Sequence, residues 1–387
     1  MKKLKILYVI DTLYNAGAEK SLLEITRNFS TVIPVFVHIY EENALKNEFL
    51  KDGITVHSLN VTGPWNLKMA VQELKKIYEL EQPDVVHATL FRSEIVTRKL
   101  KKIYPEIPLI NSFVSDSYSS EKLRNEPFLR KVKGKFIQTW DTWTARKVDY
   151  FISNSETIKL SMSRTLNVPL KKVKVIYRGR DLAKLVPSAN DNNRNILIDQ
   201  LNLQGKTILL NVGRLIESKG QKDIIEIMPR LLKEHPNSVL LVAGEGLLRN
   251  QLEILIIKNG LQKNVVLLGN RPDIPDLLDL ADIFVFPTYI EGLPGALIEA
   301  MMSKPVICCS DIPVNLECVN DESAVIFEVG NRNDLFEKLN FTISNLPSLQ
   351  VKSDNAINIA AKKFDINQIS RAYEKFYRDV VADQNIR

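Results

Sequence analysis

The chain has 387 residues, 45% of them hydrophobic and 25% charged, with a net charge of +6. That length exceeds one ordinary core and predicts two domains of a soluble globular type, not a disordered or fibrous chain. No apolar run approaches the roughly 18 residues of a membrane span, and three cysteines and four histidines without metal-like spacing argue against a disulfide scaffold or a metal site.

The opening Met1-Lys2-Lys3-Leu4-Lys5 leads directly into a strand and lacks a secretory pattern, so a cytoplasmic protein with free thiols is expected. Charge is uneven: residues 1–180 carry 30 Lys and Arg against 19 Asp and Glu, whereas residues 181–387 carry 22 against 27. A basic first half suits an anionic partner. No nucleic-acid motif is visible, which leaves an anionic membrane surface or a phosphorylated acceptor.

Lys5–Ile10 reads as a first strand, and the small-residue loop from Asp11 to Glu19 opens a helix ending near Asn28. Strand, small loop and helix is how doubly wound α/β folds bind phosphate. The loop has one glycine, Gly17, instead of G-x-G-x-x-G, which disfavours a nicotinamide or flavin enzyme. Strands then alternate with helices, predicting a parallel sheet wrapped by helices. Ligands in such sheets lie beyond the carboxyl ends of strands. That places His87, closing its strand, and Ser112 and Ser115, in the segment Asn111–Ser115, among the acceptor-side candidates.

Between residues 122 and 147, Phe128, Val132, Phe136 and Trp140 fall at four-residue spacing among Lys131, Lys133, Lys135, Arg146 and Lys147. Two readings stand: a basic amphipathic helix lying in an anionic membrane surface, or a core-facing helix with a solvated basic back. Val173–Tyr177 is the last strand of this half and ends in Arg178-Gly179-Arg180-Asp181. The polar run Pro187–Arg194 reads as a linker.

In the second half, the strand Thr207–Val212 runs into Gly213-Arg214-Leu215-Ile216-Glu217-Ser218-Lys219-Gly220. Two cations five residues apart, after a glycine and before a helix, suit a diphosphate: arginine binds bidentately and lysine acts as a point charge. Further strands lead to Gly244-Glu245-Gly246 and to Asn270-Arg271-Pro272-Asp273. The apolar strand Phe284–Phe286 is followed by a turn holding Glu291, Gly292, Pro294 and Gly295, and then by a helix bearing Glu299. Gly295 and Ala296 leave amides uncovered at that helix start, which favours an anion, and Pro294 suits a first turn. A carboxylate accepts two hydroxyls at once, so Glu291 and Glu299 fit the vicinal diols of sugars and ribose.

The G-R-x-x-x-x-K-G run and the Glu291-x7-Glu299 spacing resemble the donor site of retaining glycosyltransferases of family 4 (glycosyl transferases group 1), which have the GT-B fold. The resemblance covers nearly the whole chain and is specific from Gly213 to Glu299. It implies an α/β protein of two Rossmann-like domains facing across a cleft, with residues 1–183 binding the acceptor and 184–365 the nucleotide-sugar. Residues 366–387 are then a helix crossing back to the first domain. By resemblance Arg214 and Lys219 hold the diphosphate, Glu299 binds the ribose hydroxyls, and Glu291 lies beside the donor sugar. Pro294, Gly295, Ala296, Leu297 and Gly213 line the donor, Gly17 approaches its phosphates, and the backbone near Arg271 meets the base.

The same resemblance implies retention at the anomeric carbon without metal or other cofactor, a UDP-sugar over a GDP-sugar, and a glycan or lipid-linked acceptor of cell-surface polysaccharide. One departure stands out: Asn111-Ser112-Phe113-Val114-Ser115 has Val114 where many members carry a histidine. A non-catalytic partner subunit and a nucleotide-sugar epimerase are the competing functions, and neither nucleic acid nor a metal is expected.

Overall fold

The computed structural model describes residues 3–119, 127–185 and 191–384. The chain divides into two compact units, the first comprising residues 1–179 and 366–387 and the second residues 180–365.

The first unit is built on seven parallel strands in the order β3-β2-β1-β4-β5-β6-β7. These are β1 (Leu4–Ile10), β2 (Val32–His38), β3 (Thr55–Ser58), β4 (Val85–Thr89), β5 (Leu109–Phe113), β6 (Tyr150–Ser153) and β7 (Val173–Val175). Its helices are α1 (Gly17–Arg27), α2 (Lys46–Lys51), α3 (Leu67–Glu81), α4 (Phe91–Ile103), α5 (Phe128–Ala145) and α6 (Glu156–Leu166). Side chains alternate across a strand, and β1 follows that rule. Ile6, Tyr8 and Ile10 join one buried layer with Phe36, Ile369, Tyr373 and Tyr377. Leu7 and Val9 join the opposite layer with Val35, Leu74, Val86 and Ile95.

The second unit carries six parallel strands in the order β10-β9-β8-β11-β12-β13. Its helices are α7 (Leu182–Leu185), α8 (Asp191–Gln200), α9 (Gln221–Glu234), α10 (Arg249–Lys258), α11 (Ile274–Leu280), α12 (Gly295–Met301), α13 (Pro313–Leu316), α14 (Arg332–Ser344) and α15 (Leu346–Lys363). The strands are β8 (Thr207–Val212), β9 (Ser238–Ala243), β10 (Val265–Gly269), β11 (Ile283–Phe286), β12 (Val306–Ser310) and β13 (Val325–Phe327). Leu209, Leu240, Val242, Ile283 and Val285 meet Ile224, Ile225 and Met228 of α9 in its core.

The final helix, α16 (Ile366–Gln384), belongs to the first unit. Glu374 on it accepts from the amides of Ser30 (2.8 Å) and Val32 (3.1 Å) and from the hydroxyl of Thr31 (2.8 Å). These bonds hold its carboxyl below the usual range despite the opposing effect of burial.

The structure differs from the sequence reading in three places. The division falls between Gly179 and Arg180, where the sequence placed it after 183, and the Arg180 amide donates to Phe364 O at 2.8 Å within the second unit. Part of the expected linker, from Asp191 on, is the start of a helix, whereas Pro187–Asn190 lie outside the described residues. Of the two readings open for α5, a core-facing stripe does not hold for its first three members: Phe128 is 78%, Val132 52% and Phe136 72% exposed, and only Trp140 packs against the core, beside Trp65 and Phe91.

Only the last turns of α5 are buried, through Asp141, Thr144 and Ala145. The cause is a buried cation. Arg98 donates to Asp141 Oδ1 (2.5 Å), Glu94 Oε2 (2.8 Å) and Asn111 Oδ1 (2.9 Å), fixing the C-terminal end of α5 to α4 and β5. Residues 122–126 of the basic stretch lie outside the described residues.

Candidate active site

Strand order reverses between β8 and β11 in the second unit, since β9 and β10 lie on one side and β12 and β13 on the other. The crevice beyond the carboxyl ends of strands at such a point is where doubly wound sheets take ligands. The two segments flanking it are Gly213–Gly220 and Pro287–Gly295, which carry the expected donor residues.

Backbone contacts stitch these segments together. The Tyr289 amide donates to Ser218 O at 2.8 Å, and Thr288 Oγ1 donates to the same oxygen at 3.0 Å. Gly220 has φ +68, and a Cβ there would strike the Pro287 carbonyl, so only glycine lets the loop press against the end of β11. The last glycine of the G-R-x-x-x-x-K-G run is therefore a structural requirement.

On this frame the Lys219 ammonium forms an ion pair with Glu291 Oε1, and Thr288 Oγ1 stands 3.0 Å from that oxygen, sharing its one proton between it and Ser218 O. An ammonium has three protons to give, so Lys219 can hold Glu291 and still donate to a phosphate. Arg214 is exposed, and among the described residues its guanidinium has no hydrogen bond or ion pair. Gly213 precedes it with ordinary backbone angles, and a Cβ there would touch Gln221 Nε2 at 3.6 Å.

Pro294 stands one position before α12 as its cap residue, not in its first turn, and no side chain caps the helix. Gly295 and Ala296 are half-buried, whereas the Leu297 side chain lies in the core, so Leu297 can offer a ligand only its amide. Glu299 accepts from Arg180 Nε at 2.7 Å. Arg271 grips Asp273 with Nε at 2.7 Å and with Nη2, which raises its pKa and occupies its side chain.

Sequence reasoning left two residues that touch the expected glutamates without a role. Arg180 was legible only as part of a turn, because its partner Glu299 lies 119 residues away. Thr288, which fixes Glu291, had no motif to mark it.

The first unit has its own reversal between β1 and β4. Gly17 begins α1 there, exposed, and Arg178 Nη1 donates to its carbonyl at 3.4 Å. Among the described residues a Cβ on Gly17 would meet Arg178 Nη1 alone, at 3.9 Å. His87 does not close its strand: it is third of five residues in β4 and fully buried. Its Nδ1 meets Tyr377 Oη and its Nε2 meets Ser112 Oγ, both at 2.8 Å. Burial lowers its pKa to about 3, so the imidazole is neutral.

Ser112 also borders a cavity of about 20 Å³ with Ser21, Thr89, Val114 and Asn154. That holds one water-sized group and no sugar ring. Ser115 follows β5, half-buried. Among the described residues no group of three or more His, Cys, Asp or Glu side chains is arranged to hold a metal ion, and no helix is long and apolar enough to cross a membrane.

Comparison with known proteins agrees with this architecture. Residues 16–184 match the family model described as Glycosyltransferase Family 4, and residues 193–364 the model Glycosyl transferases group 1. The UDP-Gal:alpha-D-GlcNAc-diphosphoundecaprenol alpha-1,3-galactosyltransferase of Escherichia coli is 25% identical, over 80% of this chain and 79% of its own. The capsular polysaccharide biosynthesis glycosyltransferase CapH of Staphylococcus aureus is 24% identical, over 97% of this chain and 98% of its own. Among solved structures, Anabaena HepE in complex with UDP-glucose superposes with a TM-score of 0.85 at 20% identity, over 97% of this chain and all of its own. Its two parallel-sheet units, with both reversals of strand order, and the two matched models place this chain among the family 4 glycosyltransferases of GT-B fold.

Proposed function

We propose that the protein transfers a sugar, with retention at the anomeric carbon and without a metal, from a UDP-sugar to a hydroxyl of a glycan or lipid-linked acceptor in cell-surface polysaccharide synthesis. The observation that carries this reading is the Lys219–Glu291 ion pair at the β8–β11 reversal, with Arg214 on the same loop as Lys219 and Glu299 on the helix that follows Glu291. The Escherichia coli relative's name specifies a UDP-sugar and a lipid diphosphate acceptor, and the Anabaena neighbour holds UDP-glucose.

The glycosyl–phosphate bond breaks as negative charge builds on the departing diphosphate. Arg214 and Lys219 offset that charge, with the amides of Gly295 and Ala296 adding to them. Glu291, steadied by Thr288, accepts from the donor sugar, and Glu299 accepts from the ribose. Glu291 returns Lys219 to a fixed position between turnovers. The exposed aromatic and basic face of α5 meets an anionic membrane on the side where the lipid-linked acceptor presents its head group. Such a protein works at the inner face of that membrane.

The test is a panel of nucleotide-sugars read by mass spectrometry. Slow release of free sugar from a UDP-sugar, accelerated by membrane extract, is the expected result. An altered sugar still on UDP would make the protein an epimerase, and no turnover with any donor would sink the transferase reading. Lys219→Ala and Glu299→Ala should each lower turnover by about a hundredfold or more, the usual cost of removing one such donor or anchor.

A further inference from the structure

Arg180 opens the second unit, and its position is fixed twice. Its backbone amide donates to Phe364 O at 2.8 Å, and it forms a parallel bridge with Asp365. Its side chain crosses to α12, where Nε donates to Glu299 Oε1 at 2.7 Å. The arginine side chain is 12% exposed and the glutamate 25%. The guanidinium lies directly over Gly295: a Cβ on that residue would collide with Nη2 and stand 3.3 Å from Cζ. Gly295 does not need positive φ, so the missing side chain there is explained by the arginine. Two residues 115 positions apart in sequence are thus matched in shape.

We infer that Arg180 is a positioning residue that holds the Glu299 carboxylate for the ribose hydroxyls of the donor. The inference rests on the assignment of Glu299 to the ribose. A glutamate side chain has three rotatable bonds, and fixing it on binding costs free energy. Arg180 removes that cost beforehand by taking Oε1. Oε2 has no hydrogen bond among the described residues and remains to accept from a diol. A guanidinium suits this task because its planar fork keeps its geometry and its charge, which lysine does not match.

The experiment is calorimetric titration with UDP and with 3′-deoxy-UDP, whose ratio of dissociation constants isolates the ribose contact from the phosphates and the base. The wild-type ratio should be about ten or more, the ordinary worth of a hydrogen bond to a charged group. Glu299→Gln should lower it. Arg180→Ala should bring the ratio below about three while leaving 3′-deoxy-UDP binding within about twofold. Gly295→Ala, which pushes the guanidinium aside without removing it, should lower the ratio as well and serves if Arg180→Ala fails to fold. Equal weakening of both ligands by Arg180→Ala would overturn the inference, because it would put the arginine on the phosphates. A ratio lost in Glu299→Gln but kept in both other variants would overturn it while sparing the ribose assignment. No discrimination in the wild type would defeat both.

Discussion

His87 makes stability depend on pH at a single residue. Its pKa of about 3 in the fold lies below its ordinary 6.5. Between those values the unfolded chain takes up a proton that the folded chain refuses. Stability is therefore complete above pH 6.5 and declines as pH falls toward 3, with a slope of up to about 1.4 kcal/mol per pH unit. Urea midpoints across that window should show the decline, and His87→Asn should flatten it relative to wild type. A histidine at a strand end looks from the sequence like a cleft residue. The register of β4 beside β1, with His87 opposite Tyr8, sends it inward toward Tyr377 instead. Arg214, Lys219, Glu291 and Glu299 stood out in the sequence because their spacing resembles a family motif. Arg180 and Thr288 did not, since what they do depends on partners that only the fold supplies.

Among the elements, α5 is the one whose sequence left two readings open, and its exposed aromatics disfavour the core-facing one. A four-residue apolar spacing normally marks a buried face, yet the first turns of α5 pack against little, and the helix is held by Arg98 at its far end. Lys102 and Lys147 lie 5.8 and 5.1 Å from the Trp143 ring centre, so cations border the exposed aromatics. Replacing Phe128, Phe136 and Trp143 together by serine should cut co-sedimentation with phosphatidylserine vesicles by about tenfold or more, given the apolar area removed. Unchanged sedimentation of that folded variant would remove α5 from the membrane. Strands buried on both faces were readable from their continuous apolar runs. The three-residue β13 was too short to leave such a run.

For the whole molecule, charge follows the division into units. The first unit has 33 Lys and Arg against 22 Asp and Glu, and the second 19 against 24. Attraction to an anionic membrane should therefore reside in the first unit and weaken with salt. Vesicle binding should drop several-fold between about 0.05 and 0.5 M NaCl, as screening shortens from over ten ångströms to a few, whereas UDP affinity should change far less. Binding that salt leaves untouched would point to apolar insertion alone. Two domains were foreseeable from length, and the parallel architecture from alternating strands and helices. The seam was read from the sequence after 183, and in the fold it follows Gly179. The bridge between Arg180 and Asp365 has one more consequence. Where the polypeptide leaves the first unit and where it returns are neighbours, so 180–365 forms an insert with adjoining ends. A segment joined in this way can be excised or transplanted whole, because its two attachment points make a single spot on the host.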